Sequence, residues 1–394
     1  MSTKKPDFEK LGARTRLIAA GREFTDHGIV NPGVFHASTI LFPDVDSYRN
    51  LTQPYRYGRR GTPTSRAVEQ AVAVLEGGHD TRFCSSGMAA ISTALLCFLK
   101  AGDHILMGDT VYLPSRKFAD GTLTRLGIET TYFDPLIPPA ELAGMMRPNT
   151  RMVFLESPGS QTFEVADVAA FADIAHQHDA LLVLDNTWSA CHYFKPFEHG
   201  CDISIQAATK YLVGHSDAML GTITTTKEVW PEFHAAYEEM GQCAGPDDLY
   251  LCLRGMRTLD VRLERHMKNA LAVAEWLTTR DEVDEVFYPA LPSSPGHALW
   301  KRDFSGACGL MSIWLKPASH DAFAAMVDNL ELFGIGASWG GYESLVLPFN
   351  PAKYRTAVPW TRPGQGLRLS IGLEDPHDLI ADLQAGLERM TKAG

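Results

Sequence analysis

Two side chains stand where their types could do covalent chemistry together. Lys210 lies in Ser204-Ile205-Gln206-Ala207-Ala208-Thr209-Lys210-Tyr211-Leu212-Val213-Gly214-His215-Ser216-Asp217, just past an apolar run that reads as a buried strand. An amine at a strand end in an apolar setting has a depressed pKa, which favours the neutral form that can add to an aldehyde as a Schiff base. Upstream, Ala180-Leu181-Leu182-Val183-Leu184 is a continuous apolar strand that ends in Asp185-Asn186-Thr187-Trp188. A carboxylate at that end, one strand from the lysine, is what pyridoxal phosphate chemistry asks for. The lysine holds the aldehyde, and the carboxylate keeps the pyridine nitrogen protonated so that the ring can take up electrons. Taken singly, the lysine is an ordinary solvated strand end and Asp-Asn an ordinary turn; the pairing favours the chemical reading.

The same residues carry a resemblance. Leu184-Asp185-Asn186-Thr187-Trp188, followed by Ser204 through Ala218, resembles the cofactor segment of the Cys/Met-metabolism group of pyridoxal phosphate enzymes, and the likeness runs from about Thr15 to about Leu387. Within the group it is most like the bacterial β-lyases that act on cystathionine. The resemblance implies pyridoxal 5'-phosphate as cofactor, bound through Lys210, Asp185 and Thr209, and the fold of aspartate aminotransferase (fold type I). It also implies a homotetramer built from dimers with shared active sites, and a place in methionine biosynthesis.

Composition bounds the reading independently. A chain of 394 residues exceeds one ordinary core and predicts two or three units. With 45% apolar and 21% charged residues it is a globular, soluble type, and a net charge of −11 argues against a nucleic-acid surface or an anionic membrane. Lys and Arg are dispersed apart from Lys4-Lys5 and Arg59-Arg60. The seven cysteines are scattered and never spaced as Cys-x-x-Cys, which predicts reduced thiols rather than a disulfide framework or a zinc site. The start of the chain lacks an apolar signal region and no run of eighteen apolar residues occurs, so a cytoplasmic protein is expected.

The elements that must position Lys210 and Asp185 follow from periodicity. Residues 1–60 carry many breakers and one helical piece, Phe8 to Ala20; such an arm cannot make its own core and is expected to pack on another subunit. It leads into Tyr57-Gly58-Arg59, a basic loop by itself; by resemblance Tyr57 and Arg59 reach the phosphate of the neighbour's cofactor. A capped helix from Thr64 to Gly77 and a strand from Thr81 to Ser85 come next. Ser86-Gly87-Met88 then opens an apolar helix, Ala89 to Leu99. A helix N-terminus after a strand offers free N–H groups and partial positive charge to a phosphate, which assigns the Gly87 and Met88 backbone to that role, with Ser86 as a further candidate. Strands at His104–Met107 and Met152–Glu156 and a helix at Val168–His178 continue the alternation. Residues 61–256 therefore read as an α/β cofactor domain around a mostly parallel, seven-stranded-type sheet. Tyr112, in the loop after a strand, sits at the ligand-bearing edge or simply closes the loop; by resemblance it stacks on the cofactor ring.

Breakers cluster at Gly241-Gln242-Cys243-Ala244-Gly245-Pro246, before a helix to Leu253 and a long amphipathic run from Thr258 to Thr278. Residues 257–394 read as a smaller α+β domain on the substrate side, with strands at Val283–Tyr288, Leu310–Leu315, Glu343–Leu347 and Leu367–Ser370. Its helices are Ala322–Leu330 and Pro376–Met390. An amino-acid substrate needs a cation for its α-carboxylate, and arginine supplies a bidentate fork. Arg368 matches the family's residue for that role, its neighbours Leu367 and Leu369 facing the other way, and Ser338 and Trp339 would line the same pocket. The implied reaction is β-elimination, with Lys210 moving the α-proton and Tyr112 holding the substrate in register. Two positions depart from the family: Ala337, where a tyrosine is typical, and Lys117, where an acidic residue would meet the distal ammonium of cystathionine. Glu156-Ser157-Pro158-Gly159-Ser160 lacks the Thr-Asn-Pro continuation of the γ-enzymes. A broader cysteine-conjugate lyase, a γ-acting relative, and a silent scaffold that keeps the fold are the alternatives. All three key side chains are present, against the last. No metal is expected.

Overall fold

The computed structural model describes residues 7–393; the Lys4-Lys5 pair and the rest of the first six residues lie outside them. Strands β1 (Asp80–Cys84), β2 (His104–Gly108), β3 (Glu129–Phe133), β4 (Thr150–Glu156), β5 (Leu181–Asp185), β6 (Ile203–Gln206) and β7 (Gly221–Thr225) form one sheet in the order β1-β7-β6-β5-β4-β2-β3. The pairs from β6 to β3 are parallel, whereas β7 runs antiparallel to both of its neighbours, β1 and β6. The strand period of two sorts the apolar side chains onto two faces. Val153, Leu155, Leu182 and Leu184 join one core cluster, while Met152, Phe154, Val183 and Ile205 join another. Both faces must be covered, and they are: the helix Gly87–Phe98 packs on β1, β6 and β7, the helix Val168–Gln177 on β5.

The second sheet contains β8 (Val283–Phe287), β9 (Leu310–Leu315), β10 (Gly334–Ile335), β11 (Leu345–Phe349) and β12 (Gln365–Ser370), in the order β10-β11-β12-β9-β8. In the register of its central strands Arg368 stands opposite Ser312 of β9 and Leu347 of β11. Leu367 and Leu369 are fully buried in the larger core cluster, which runs on from Leu17 to Met390 and joins the two sheets.

Local chemistry sets the boundaries. The helix Pro63–Glu76 starts on a Thr62–Ser65 capping box with proline at its first position and ends on Gly77 at φ +81°. A cap of this kind contributes about 1 kcal/mol. Several expectations need correction. The helix expected over Phe8–Ala20 is a short 3₁₀ turn, Phe8–Lys10, and a separate helix, Ala13–Ala19, divided at Gly12 in an extended conformation. The strand expected at Glu343–Leu347 starts two residues later, because the Glu343 side chain is engaged by the Ser216 hydroxyl outside the sheet. Tyr112 closes the loop after β2 as the residue before a helix, Leu113–Phe118, with Pro114 in its first turn, where a missing N–H costs nothing.

Candidate active site

The larger sheet delivers its two chemical side chains at neighbouring strand ends. Asp185 is the last residue of β5, paired in register with Glu156 on β4 and Ile205 on β6. It is buried, and its Oδ1 accepts hydrogen bonds from Thr187 N at 3.1 Å and Thr187 Oγ1 at 2.5 Å. Burial pushes the Asp185 carboxyl up, while the Thr187 bonds and the charge of Lys210 oppose that. Lys210 follows β6 in a turn closed by Lys210 N to Ala207 O and Gly214 N to Lys210 O. Its Nζ donates to Ser338 Oγ at 2.8 Å and lies 5.2 Å from the centroid of the Trp339 ring. Burial and the nearby Arg368 charge lower its pKa to about 8, with Asp185 pulling the other way.

Both residues line a cavity of ≈ 210 Å³. One wall is the start of the helix Gly87–Phe98, whose first N–H groups have no partner within the helix. Ser86 caps this helix through Ser86 Oγ, which accepts from Ala89 N at 3.1 Å. At Gly87 a Cβ would stand 2.6 Å from the Ala207 Cβ, so only glycine lets the helix start come this close to the Lys210 turn. Thr209 lines the same wall, its hydroxyl donating to Leu220 O at 3.1 Å and accepting from Leu220 N at 2.9 Å.

Tyr112, a residue 43% exposed, borders the cavity, and its backbone N–H donates to Glu156 Oε2 at 2.6 Å. Burial and the adjacent Asp185 push the Glu156 carboxyl well above the usual range. From the second sheet comes Arg368, which is 6% exposed and donates through Nη2 to Ala337 O at 2.8 Å and Ser338 O at 3.2 Å. Burial brings its pKa down to about 10, against the favourable influence of Tyr112 and Glu156. Gly340, at φ +85°, lets this loop approach within 3.1 Å of the Lys210 Cα, measured from the Cβ it lacks.

The chain thus brings together Lys210, Asp185, Tyr112, Ser86, Gly87, Met88, Thr209, Trp339 and Ala337 around one cavity, with Ser338 and Arg368 tied to it by hydrogen bonds. Tyr57 and Arg59 are elsewhere, in a depression shared with Phe42 and Tyr48, where Arg59 Nη1 donates to Glu238 O at 3.0 Å. Lys117 is exposed and is not among the cavity residues, so the expectation that it meets the far end of a substrate has no support within the chain. Glu156, Ser160, Thr187 and Met219 line the cavity without having been singled out. Position was the available signal: Glu156 closes a strand as Asp185 does, and Thr187 follows it by two residues.

A buried lysine amine, a buried carboxylate at the neighbouring strand end, a helix start at Gly87 and a tyrosine at the rim are groups that could hold pyridoxal phosphate. Residues 14–388 match the family described as Cys/Met metabolism PLP-dependent enzyme. The chain is 44% identical over 389 residues to cystathionine beta-lyase of Escherichia coli, covering 95% of this chain and 98% of that protein. It is 39% identical to an L-alanine/L-glutamate racemase of Wolbachia pipientis, over 96% of this chain and 98% of that one. Among solved structures, cystathionine gamma synthase from Xanthomonas oryzae pv. oryzae, in complex with aminoacrylate and cysteine, superimposes with a TM-score of 0.89 at 31% identity. That match covers 98% of this chain and 100% of the other.

Proposed function

We propose, for a chain that belongs to the Cys/Met metabolism PLP-dependent enzyme family, that it is a lyase cleaving cystathionine by β-elimination to homocysteine, pyruvate and ammonia. The observation that carries this reading is the Lys210 amine, held 2.8 Å from Ser338 in a cavity shared with Asp185 and lowered in pKa to about 8. Such an amine can accept and return a proton near neutral pH.

When bound, pyridoxal phosphate supplies an electron sink for the α-carbon. Asp185 would pair with its ring nitrogen, the Gly87 and Met88 N–H groups would hold its phosphate, with Ser86 and Thr209 beside them, and Tyr112 would cover the ring. The chain's own work is proton handling and orientation. Arg368 receives the α-carboxylate, and Ser338 and Trp339 border the same space. Lys210 Nζ takes the α-proton as the Cβ–S bond breaks, and its ammonium returns that proton to the departing thiolate. The three-carbon enamine left behind takes up water to give pyruvate and ammonia, which balances the reaction.

The same proton removal from an amino acid with no β-leaving group, followed by return of a proton to the opposite face of the α-carbon, is racemisation, the activity named for the Wolbachia relative. Purified enzyme given cystathionine should release pyruvate and a free thiol in equal amounts. Turnover of alanine between its enantiomers without pyruvate release from cystathionine would overturn the lyase reading.

In the arm over residues 1–60 the helix Ala13–Ala19 packs on its own chain, burying Leu17, and the extended part that follows belongs on a second copy, with residues 61–256 as the cofactor domain and 257–394 as the substrate-side domain. Exposed apolar side chains along the arm, including Ile29, Val30, Phe35, Leu41 and Tyr48, support this placement. Tyr57 and Arg59 would then complete the phosphate site of that second copy, in dimers that pair into a tetramer. No helix among the described residues is long and apolar enough to cross a membrane. A cytoplasmic place in methionine biosynthesis suits this chemistry.

A further inference from the structure

Asp109, the first residue past β2, is 1% exposed and does not line the cavity, yet its carboxylate is heavily engaged. Oδ1 accepts from Thr356 N at 3.1 Å, and Oδ2 accepts from Ala357 N at 3.1 Å and Val358 N at 3.0 Å. Three consecutive N–H groups curled round one carboxylate form a cup with a fixed partial positive charge. Arg116 closes the arrangement: Nη1 donates to Asp109 Oδ1 at 2.6 Å and Nη2 to Thr356 Oγ1 at 2.6 Å, while the guanidinium lies 3.5 Å from the centroid of the Tyr132 ring. The two preceding residues are tied down as well, Tyr354 by its hydroxyl to Gln161 and Arg355 by an ion pair with Glu164 at 2.9 Å. Residues 354–358 are therefore strapped onto loops of the larger sheet, although the chain on either side belongs to the smaller one, between β11 and β12.

The location of the strap gives it a consequence. On one side Asp109 lies three residues before Tyr112; on the other, Val358 leads into β12, which carries Arg368. The Arg368 charge acts on the Tyr112 hydroxyl, so the two side chains are close in the folded chain. If one covers a ring and the other receives a carboxylate, their spacing has to be kept although they come from different sheets.

We propose that Asp109 is a positioning residue for the substrate carboxylate: by gripping residues 356–358 it fixes where β12 presents Arg368 relative to Tyr112. This rests on the reading that Arg368 receives the α-carboxylate. Loss of the carboxylate leaves three N–H groups without their acceptor and the buried Arg116 guanidinium with only the more distant Asp120 carboxylate at 3.8 Å, while Glu164 holds the strap at Arg355 and not at those N–H groups. An amide at the same position restores the shape but turns a donor toward some of those N–H groups.

Glycine and methylamine separate this role from a general structural one, because both carry an amine and only glycine has a carboxylate. Their binding to the purified holoenzyme is read from the visible absorbance of the bound cofactor. Asp109→Ala should weaken glycine by about tenfold or more, as expected for loss of a buried charged contact, and leave methylamine unchanged. Asp109→Asn should shift the glycine-to-methylamine ratio in the same direction by a smaller factor, and it decides the matter if the alanine variant does not fold. Equal weakening of both probes, or an unchanged glycine affinity in a folded variant, would overturn the proposal. Arg368→Leu tests the premise separately: an unchanged ratio there means that Arg368 does not receive the carboxylate, and the role of Asp109 falls with it.

Discussion

Lys210 Nζ and Ser338 Oγ, from the two different sheet regions of the molecule, are 2.8 Å apart. The hydroxyl holds the amine over the cavity, and the turn closed at Gly214 holds its backbone. Removing the amine should end the chemistry without dismantling the site. Lys210→Ala is expected to lose all measurable pyruvate release while remaining folded and retaining pyridoxal phosphate non-covalently. Peptide mass spectrometry after borohydride reduction of the wild type should find the pyridoxyl group on Lys210; an adduct on any other lysine sinks the assignment.

The depressed Lys210 pKa gives a pH dependence in cofactor-free protein. Its charged form is disfavoured by burial first and by Arg368 second, so half of the amine is neutral near pH 8 rather than near the ordinary value of 10.5. The neutral form is the nucleophile, so reductive methylation of Lys210 should accelerate as pH rises through about 8 and then level off. Arg368→Leu removes a repelling positive charge, makes the ammonium cheaper and moves the midpoint upward. A wild-type midpoint near that of free lysine would contradict the burial of this amine.

Gly87→Ala tests the close approach at the phosphate end. The new methyl would meet Ala207 at 2.6 Å, so the helix start or the Lys210 turn must shift. Overpacking of this kind costs about 1–3 kcal/mol. The expected outcome is a lowered Tm together with weaker retention of pyridoxal phosphate in dialysis. An unchanged cofactor affinity would mean that this helix start does not hold the phosphate.

What could be read from the sequence and what could not follow one physical division. β5 announces itself because it is buried on both faces, runs as continuous apolar residues and ends in Asp185, whereas β6 alternates isoleucine with Ser204 and Gln206 and is marked by the lysine turn that follows it. β3, Glu129–Phe133, sits at the sheet edge with half-exposed threonines and carries no such signal. β7 is fully buried but rich in threonine, one of which, Thr224, meets Thr81 across the sheet at 2.8 Å. The role of Glu156 depends on its register beside Asp185, and that of Asp109 on residues some 250 positions away. Pairings of that kind are made by tertiary structure, and local pattern does not encode them.

A shared active site predicts complementation between two inactive variants. Arg59 donates to Glu238 O and is not among the residues that line the cavity of its own chain, so any role in catalysis would be at a neighbour's site. Lys210→Ala and Arg59→Ala subunits, mixed and recovered as hybrids by two affinity tags, should regain activity because one site in each mixed dimer inherits neither lesion. Folded hybrids that stay at the background of the parents would place Arg59 outside the catalytic unit.

The last prediction reverses an expectation drawn from sequence. Lys117 occupies a position where the family pattern calls for an acid, and two unit charges about 4 Å apart would interact by about 1 kcal/mol in bulk water and about 4 kcal/mol at an intermediate dielectric. Facing a substrate's distal ammonium, it would therefore alter specificity by about tenfold or more. The structure instead leaves Lys117 exposed on the helix Leu113–Phe118, outside the residues that line the cavity. A charge in that setting is hydrated and screened by salt, and its influence on a buried ligand is small. Lys117→Asp should accordingly leave the ratio of kcat/KM for cystathionine to that for a thioether with an uncharged distal group within about twofold of wild type, the scale of a surface charge pair. The measurement belongs at low ionic strength, where any electrostatic effect is largest. A tenfold rise in the ratio would show that the assembled enzyme brings Lys117 to the substrate after all, through a neighbouring copy of the chain.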